Sequence, residues 1–428
     1  MVMKKSLQCL FWVGLLGGLL LPCQTLAAEV SFQSDTIIRG FERNTVTQTD
    51  AGVVPVYEYL QVDAGTLDEP GLAFHLYGWG RLDLADNGYF TDETAGELLY
   101  GYLEYSQAQA RFNARLGRQS IFEGVANEVV DGLRLSSDLG RYFSGSVYAG
   151  QPAALAEENG RDGDSIFGGR LANHVAGYYD LGVSYKKIRS DSSDAEELAG
   201  VDLSLYLPAA VTLSGFSSYN LDSEDFAEHS YQANLKLGPV SLRPFVQFFQ
   251  YDDYFGTATS PSPFSFLAGT GEELTIYGAD FTLPAQEAWL LTAKAKHYDY
   301  EVLDDSSNFV SAQVSWSGAG LTQVGGELGY MNSDVAQIDY VLVRLFGYCD
   351  QVKEILPVDF VSGDLVYVGY DQKIYNDDSS LFVSLGVGKT YLDNSLKLKL
   401  SGDYSSDPYF DNDLRGMLTA SYLFDRSL

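Results

Sequence analysis

The sequence predicts an all-β chain, closed into one large antiparallel transmembrane β-barrel of about 22 strands, with roughly 18 to 22 compatible with the pattern. Three observations carry that expectation. The chain opens with a segment built for export, it holds no later apolar run of helix length, and large apolar residues recur at every second position in one short stretch after another.

The opening segment comes first. Lys4 and Lys5 precede the apolar run Leu10–Leu21, and Thr25-Leu26-Ala27-Ala28 supplies a small-residue exit. A basic start, a short greasy centre and such an exit describe a cleaved leader, because the run is too short and wrongly flanked to span a bilayer. Residues 1–28 are therefore expected to be a signal peptide and 29–428 one barrel domain.

Composition narrows the class. The net charge is −31, and the leader removes two lysines and no acid from it. A chain this acidic will not seek nucleic-acid phosphates. Aromatic residues make up 14%, with 30 tyrosines, which suits a structure with two membrane–water interfaces where amphipathic rings settle. Cys9 and Cys23 fall in the leader, leaving Cys349 alone. Neither an internal disulfide nor an attached c-type haem is then expected, and no cofactor is called for. Leu21-Pro22-Cys23 imitates a lipoprotein cleavage site, but Pro22 sits where a small residue is needed.

Alternation sets the strands. From Leu72 to Leu84 the even positions read Leu, Phe, Leu, Gly, Gly, Leu, Leu, while the odd ones are Ala73, His75, Tyr77, Trp79, Arg81 and Asp83. Successive side chains of a strand face opposite sides, so one face is greasy and the other polar. Tyr231–Leu237 and Leu396–Ser401 repeat the pattern. Arg, Lys, Asp and Gln are too frequent on the polar face for a second packed layer, so that face is expected to line a wet interior. The predicted strands are 30–44, 56–67, 72–87, 97–109, 110–122, 129–138, 141–152, 165–174, 177–189, 197–207, 210–222, 227–237, 240–253, 273–283, 287–301, 308–318, 320–332, 337–349, 365–377, 380–392, 395–406 and 413–424.

Connections alternate in length. Tight ones include Asp68–Gly71, Leu207–Ala210, Gly238-Pro239, Pro284–Gln286 and Asp393-Asn394; longer acidic ones include Gly88–Gly96, Ala154–Asp164, Ser190–Glu197, Tyr254–Glu273, Asp304–Asn308 and Asp407–Asp413. Periplasmic turns are short and extracellular loops long, which places both termini in the periplasm. Asp350–Asp364 is too long for the side on which it falls, and reads either as a lumenal insert or as a mis-registered strand pair.

Inward positions are unexpectedly basic. Alternation turns Arg81, Arg111, Arg115, Gln119, Arg134, Lys186, Lys236, Lys294, Lys296, Lys397 and Lys399 toward the lumen as the expected pore lining. A ring of such charges favours anions. The competing reading pairs the bases with Asp83, Glu104, Asp180, Asp280 and Asp403 on neighbouring strands. The acidic loops lack calcium-loop spacing. Gly386-Val387-Gly388-Lys389-Thr390 imitates a phosphate-binding loop but lacks the earlier glycine, since position 383 is Val383. His75, His174, His229 and His297 are scattered without metal-ligand or nucleophile spacing, so no enzyme is expected.

At Arg115-Leu116-Gly117-Arg118-Gln119-Ser120-Ile121-Phe122 the chain resembles a recurring strand of Gram-negative outer-membrane porins, and Glu123–Leu133 resembles its continuation in porin and export-channel families. The resemblance implies an outer-membrane channel for passive diffusion of small hydrophilic solutes, with some anion preference and often a trimer, set among lipid and lipopolysaccharide. Such barrels usually end on an aromatic residue; here Asp425-Arg426-Ser427-Leu428 follow Phe424. The acidic, wide barrel without a plug domain is also similar to the barrel components of porin–cytochrome conduits, which implies the alternative of a sheath around a multihaem cytochrome partner.

Overall fold

A computed structural model describes residues 29–43, 51–67, 70–85, 88–108, 111–153, 163–190, 193–208, 210–251, 271–334, 339–408 and 412–427. Among these residues, every extended segment belongs to one antiparallel sheet. In chain order the strands are β1 (Glu29–Arg43), β2 (Ala51–Val53 and Pro55–Gly65, interrupted at Val54), β3 (Gly71–Asp83), β4 (Thr94–Gln107), β5 (Phe112–Glu123), β6 (Ala126–Asp138), β7 (Phe143–Pro152) and β8 (Ser165–Val175). They continue with β9 (Tyr179–Ser190), β10 (Ser193–Leu207), β11 (Val211–Asn220), β12 (Asp225–Leu237), β13 (Val240–Gln250), β14 (Glu273–Gln286) and β15 (Trp289–Tyr300). The last are β16 (Asp305–Ser317), β17 (Gln323–Ser333), β18 (Tyr340–Cys349), β19 (Phe360–Ile374), β20 (Asp377–Tyr391), β21 (Leu396–Ser406) and β22 (Asp413–Ser427).

Each strand pairs with its sequence neighbours, and β1 pairs with β22 from Glu29↔Ser427 to Gly40↔Gly416. Among the described residues the result is a closed barrel of 22 strands with Glu29 and Ser427 at one rim, the terminal rim. No helix among the described residues is long and apolar enough to cross a membrane. Closure removes the raw edges that an open sheet would expose.

The turns at the terminal rim are tight where the sequence supplies residues that tolerate positive φ. Leu392, Asp393 and Asn394 take φ of 53°, 52° and 74° between β20 and β21. At the opposite rim Tyr375 and Asn376 do the same, at 48° and 82°. That rim is less uniformly long-looped than expected. Ser190–Glu197 is not a loop, because β9 runs to Ser190 and β10 begins at Ser193; pairing Arg189 with Asp194 across a register shift absorbs the polar residues. Asp304–Asn308 likewise belongs mostly to β16.

Asp350–Asp359 is neither a lumenal insert nor a strand pair but a cap on the terminal rim, and β19 resumes at Phe360. Asp350 accepts hydrogen bonds from Leu321 N at 2.8 Å and Thr322 Oγ1 at 3.1 Å, tying the cap to the β16–β17 turn. Asp359 accepts from Thr390 N at 2.8 Å and Thr390 Oγ1 at 2.5 Å, tying it to the end of β20. The Leu321 amide and the Thr390 hydroxyl, respectively, hold these two carboxyls below the usual aspartate range.

The wall has an unequivocal sidedness. Leu116, Val183 and Leu385 are 60%, 54% and 64% exposed and belong to the apolar rows, while the charged rows are mostly half-covered. The more exposed row lies on the convex side of a closed wall. The apolar rows therefore face outward and the charged rows inward, the reverse of a soluble β-barrel core.

Candidate functional site

The inner face is a ladder of charges spread over the whole circumference. Several expected lining residues are paired. Arg134 Nε donates to Glu123 at 2.7 Å, and Arg115 Nε lies 3.0 Å from Glu104 without hydrogen-bond alignment. Lys294 reaches Glu327 at 3.8 Å. Arg111 stands in the turn before β5, at φ 41°, and its Nε lies 3.4 Å from Asp138. Bases outside the expected set are paired too: Arg170 spans Asp202 and Asp180, Arg243 Nε is 3.1 Å from Asp280, and Arg344 Nε is 3.0 Å from Asp364.

Five expected residues have no carboxylate partner among the described residues: Arg81, Lys236, Lys296, Lys397 and Lys399. Three of them use aromatic faces instead. Arg81 lies 3.6 Å over the Phe90 ring, Lys397 4.6 Å over Phe360 and Lys296 5.9 Å over Phe245. The partition between paired and unpaired bases needed the register, which alternation alone does not supply.

Gln119 and Lys186 face inward but are 1% and 4% exposed, so neither is bathed by the lumen. The cause is the hairpin joining β5 and β6. Pairing of β4 with β5 stops at Gly101↔Arg118, and pairing of β6 with β7 stops at Val130↔Pro152. Beyond those points the two arms of Gln119–Val130 pair with each other and leave the wall ladder, apart from Ala153 N donating to Val129 O at 2.8 Å, and the hairpin leans into the barrel. At its tip Val125 N donates to Ser184 Oγ on β9 at 3.1 Å, past two intervening strands. Ile121, Ala126 and Val130 of the hairpin are buried with Tyr148, Ile166 and Ile188 of the wall. An apolar core thus sits inside a barrel whose inner face is otherwise charged. It is locked electrostatically as well: Lys186 Nζ of β9 lies 3.1 Å from Glu128 of the hairpin and 2.6 Å from Glu196 of β10.

The motif that resembles a porin strand builds this fold-in. Gly117, Gly132 and Gly150 stand in register across β5, β6 and β7, at the level where the hairpin leaves the wall. A Cβ at Gly117, where φ is +128°, would lie 2.3 Å from Gly101 O, and one at Gly132 2.1 Å from Ala149 O. Only glycine permits so sharp a crease. Arg118 faces outward and closes the fork, with Nη1 donating to Leu98 O at 2.9 Å and Nε to Asp131 at 2.8 Å. Gln119 Nε2 donates to Arg115 O and Gly132 O, both at 3.2 Å, satisfying carbonyls beneath the hairpin.

Two further features escaped the sequence. An aromatic ladder lines the wall of β2–β4: Tyr59 to Tyr77 at 6.3 Å, Tyr77 to Tyr100 at 5.5 Å, Tyr100 to Tyr102 at 5.8 Å and His75 on Tyr102 at 4.9 Å. Alternating tyrosines across adjacent strands were the available signal. On the outer face His229 Nδ1 lies 2.7 Å from Ser217 Oγ, which lies 2.6 Å from Tyr231 OH. The pair is cross-strand, the imidazole stands against Phe226 and Phe248, and no carboxylate among the described residues orients it as a hydrolase would require.

Comparison with solved structures returns large barrels. The P pilus usher (PapC) translocation pore is 10% identical with a TM-score of 0.50, covering 92% of this chain and 99% of that one. A BenF-like porin from Pseudomonas fluorescens Pf-5 is 12% identical, TM-score 0.48, over 93% and 99%. Acinetobacter baumannii OccAB4 is 11% identical, TM-score 0.46, over 95% and 100%. At these identities the likeness to the usher pore establishes the fold alone. No protein-family model matches the sequence, and no curated protein matches it.

Proposed function

We propose that the chain is an outer-membrane channel for passive diffusion of small hydrophilic solutes, with its termini in the periplasm and a weak preference for anions. One observation carries the reading: a closed wall whose convex face is apolar and exposed while its concave face is charged. That arrangement is stable with hydrocarbon outside and water inside. The export-type leader supports the same compartment. The anion preference rests on Arg81, Lys236, Lys296, Lys397 and Lys399, whose charge no carboxylate among the described residues cancels.

Purified protein placed alone in a planar bilayer tests the reading. Steady conductance with a reversal potential favouring chloride over potassium supports it; a cation-selective pore removes the anion preference, and silence removes the channel. The sheath alternative predicts silence without a cytochrome partner. The hairpin in the lumen weighs against it, because it occupies space that a guest polypeptide would need.

A further inference from the structure

Where the hairpin leaves the wall, no other strand among the described residues takes its place. Thr94–Tyr100 of β4 pairs with β3 on one side, but on the other the ladder ends at Gly101↔Arg118. Continuing that register would set Tyr100 opposite Gln119, both on the inward row, up to the bulge that β4 carries next to Tyr100. The hairpin therefore has two places to be. In the wall, Gln119–Glu123 would gain ladder hydrogen bonds with the edge of β4, where Leu98 O now accepts from Arg118 Nη1. In the lumen, Ile121, Ala126 and Val130 gain an apolar core, and Glu128 gains Lys186.

We propose that Lys186 is the positioning residue that sets the size limit of this channel, by holding the Gln119–Val130 hairpin in the lumen and away from the wall position beside Thr94–Tyr100. Its ammonium joins the moving part, through Glu128, to the fixed part, through Glu196. Glu123, next to the tip, is a lesser tether, held by Arg134 of β6 and Ser146 of β7. A buried cation between two carboxylates is an orienting device, because removing one partner strands the others. With the latch released, the hairpin returns to the ladder, the notch closes and the bore widens. The inference rests on the channel reading above and adds which residues limit it.

The test uses the full mature chain, with Cys349→Ser in every variant, in planar bilayers. Glu128→Lys sets like charges face to face; Lys186→Gln deletes the latch from the wall side. Each is expected to raise single-channel conductance about twofold or more and to admit larger polyethylene glycols. Val125→Cys with Gly200→Cys supplies the reverse control. A Cβ at Gly200 would lie 2.4 Å from Val125 Cγ1, so the pair is close enough to bridge. Oxidised in the Glu128→Lys background, it restores the wild-type size limit, and reductant releases it again. If the latch variants conduct with an unchanged polymer limit, or the bridged channel stays wide, the role of Lys186 is refuted while the channel stands. If wild type and variants are all silent, the channel reading itself fails.

Discussion

Ile121→Ala should loosen the hairpin without loosening the barrel. Ile121 is 1% exposed and packs with Ala126, Val130, Tyr148, Ile166 and Ile188. Truncation removes three carbons, worth about 2.4 kcal/mol at about 0.8 kcal/mol per buried methylene. The cavity left between hairpin and wall raises the cost to about 3–4 kcal/mol. At about 1.4 kcal/mol per tenfold change, the opening equilibrium of the hairpin shifts by about 100-fold or more. Amide hydrogen exchange in detergent reads this directly. Protection of Gln119–Glu123 and Ala126–Val130 should fall by that factor, while β14–β17 keep theirs, because local opening need not involve the whole sheet. Leu116→Ala, on the same strand but outward and exposed, should leave hairpin exchange unchanged. Unaltered protection in Ile121→Ala, or loss spread evenly around the barrel, would refute the packed hairpin.

Four other outcomes are expected. Lys296→Glu, Lys397→Glu and Lys399→Glu combined should move the permeability ratio several-fold toward cations, read from reversal potentials; an unchanged ratio would show that these lysines do not set it. Gly117→Val places a Cβ against Gly101 O at a φ that L residues rarely adopt, costing about 3 kcal/mol from backbone strain alone, so the yield of folded barrel on a semi-native gel should drop. Leu385→Arg sets a charge in the exposed outer row and should cost about 2–4 kcal/mol in urea titrations from lipid vesicles, whereas Ser384→Arg, one step inward, should cost far less. The cap Asp350–Asp359 should be pH-sensitive. Its two aspartates titrate below their unfolded value, so their contribution is complete above about pH 4 and disappears as pH falls through the lower folded values. Exchange of the Val352–Val358 amides should rise only in that acidic range.

Much of the barrel was legible in the residues. The strand number, the inward and outward rows and most boundaries follow from alternation; the expected 165–174 is Ser165–Val175 and the expected 413–424 is Asp413–Ser427. What alternation cannot reveal is where a face goes after it has been assigned. Gln119 and Lys186 sit on inward rows, yet a second layer covers them, and that layer comes from a pairing that stops rather than from any residue pattern. The glycine row Gly117, Gly132 and Gly150 is a crease only once register brings the three side by side. Likewise Ser217 and His229 are twelve positions apart, and only the cross-strand partnership brings them together. The cap at Asp350–Asp359 was visible as excess length, but its anchors on Leu321 and Thr390 belong to other turns.

The seam between β1 and β22 bears on biogenesis. Synthesis delivers the first partner of that seam before the other described strands and the second after them, so the most sequence-distant pairing in the sheet is also the one that seals it. Until Asp413–Ser427 arrives, Glu29–Arg43 offers a raw ribbon to any stray strand nearby. A chain truncated at residue 412 would carry two such ribbons permanently, and its fate should be clumping rather than a slightly smaller tube.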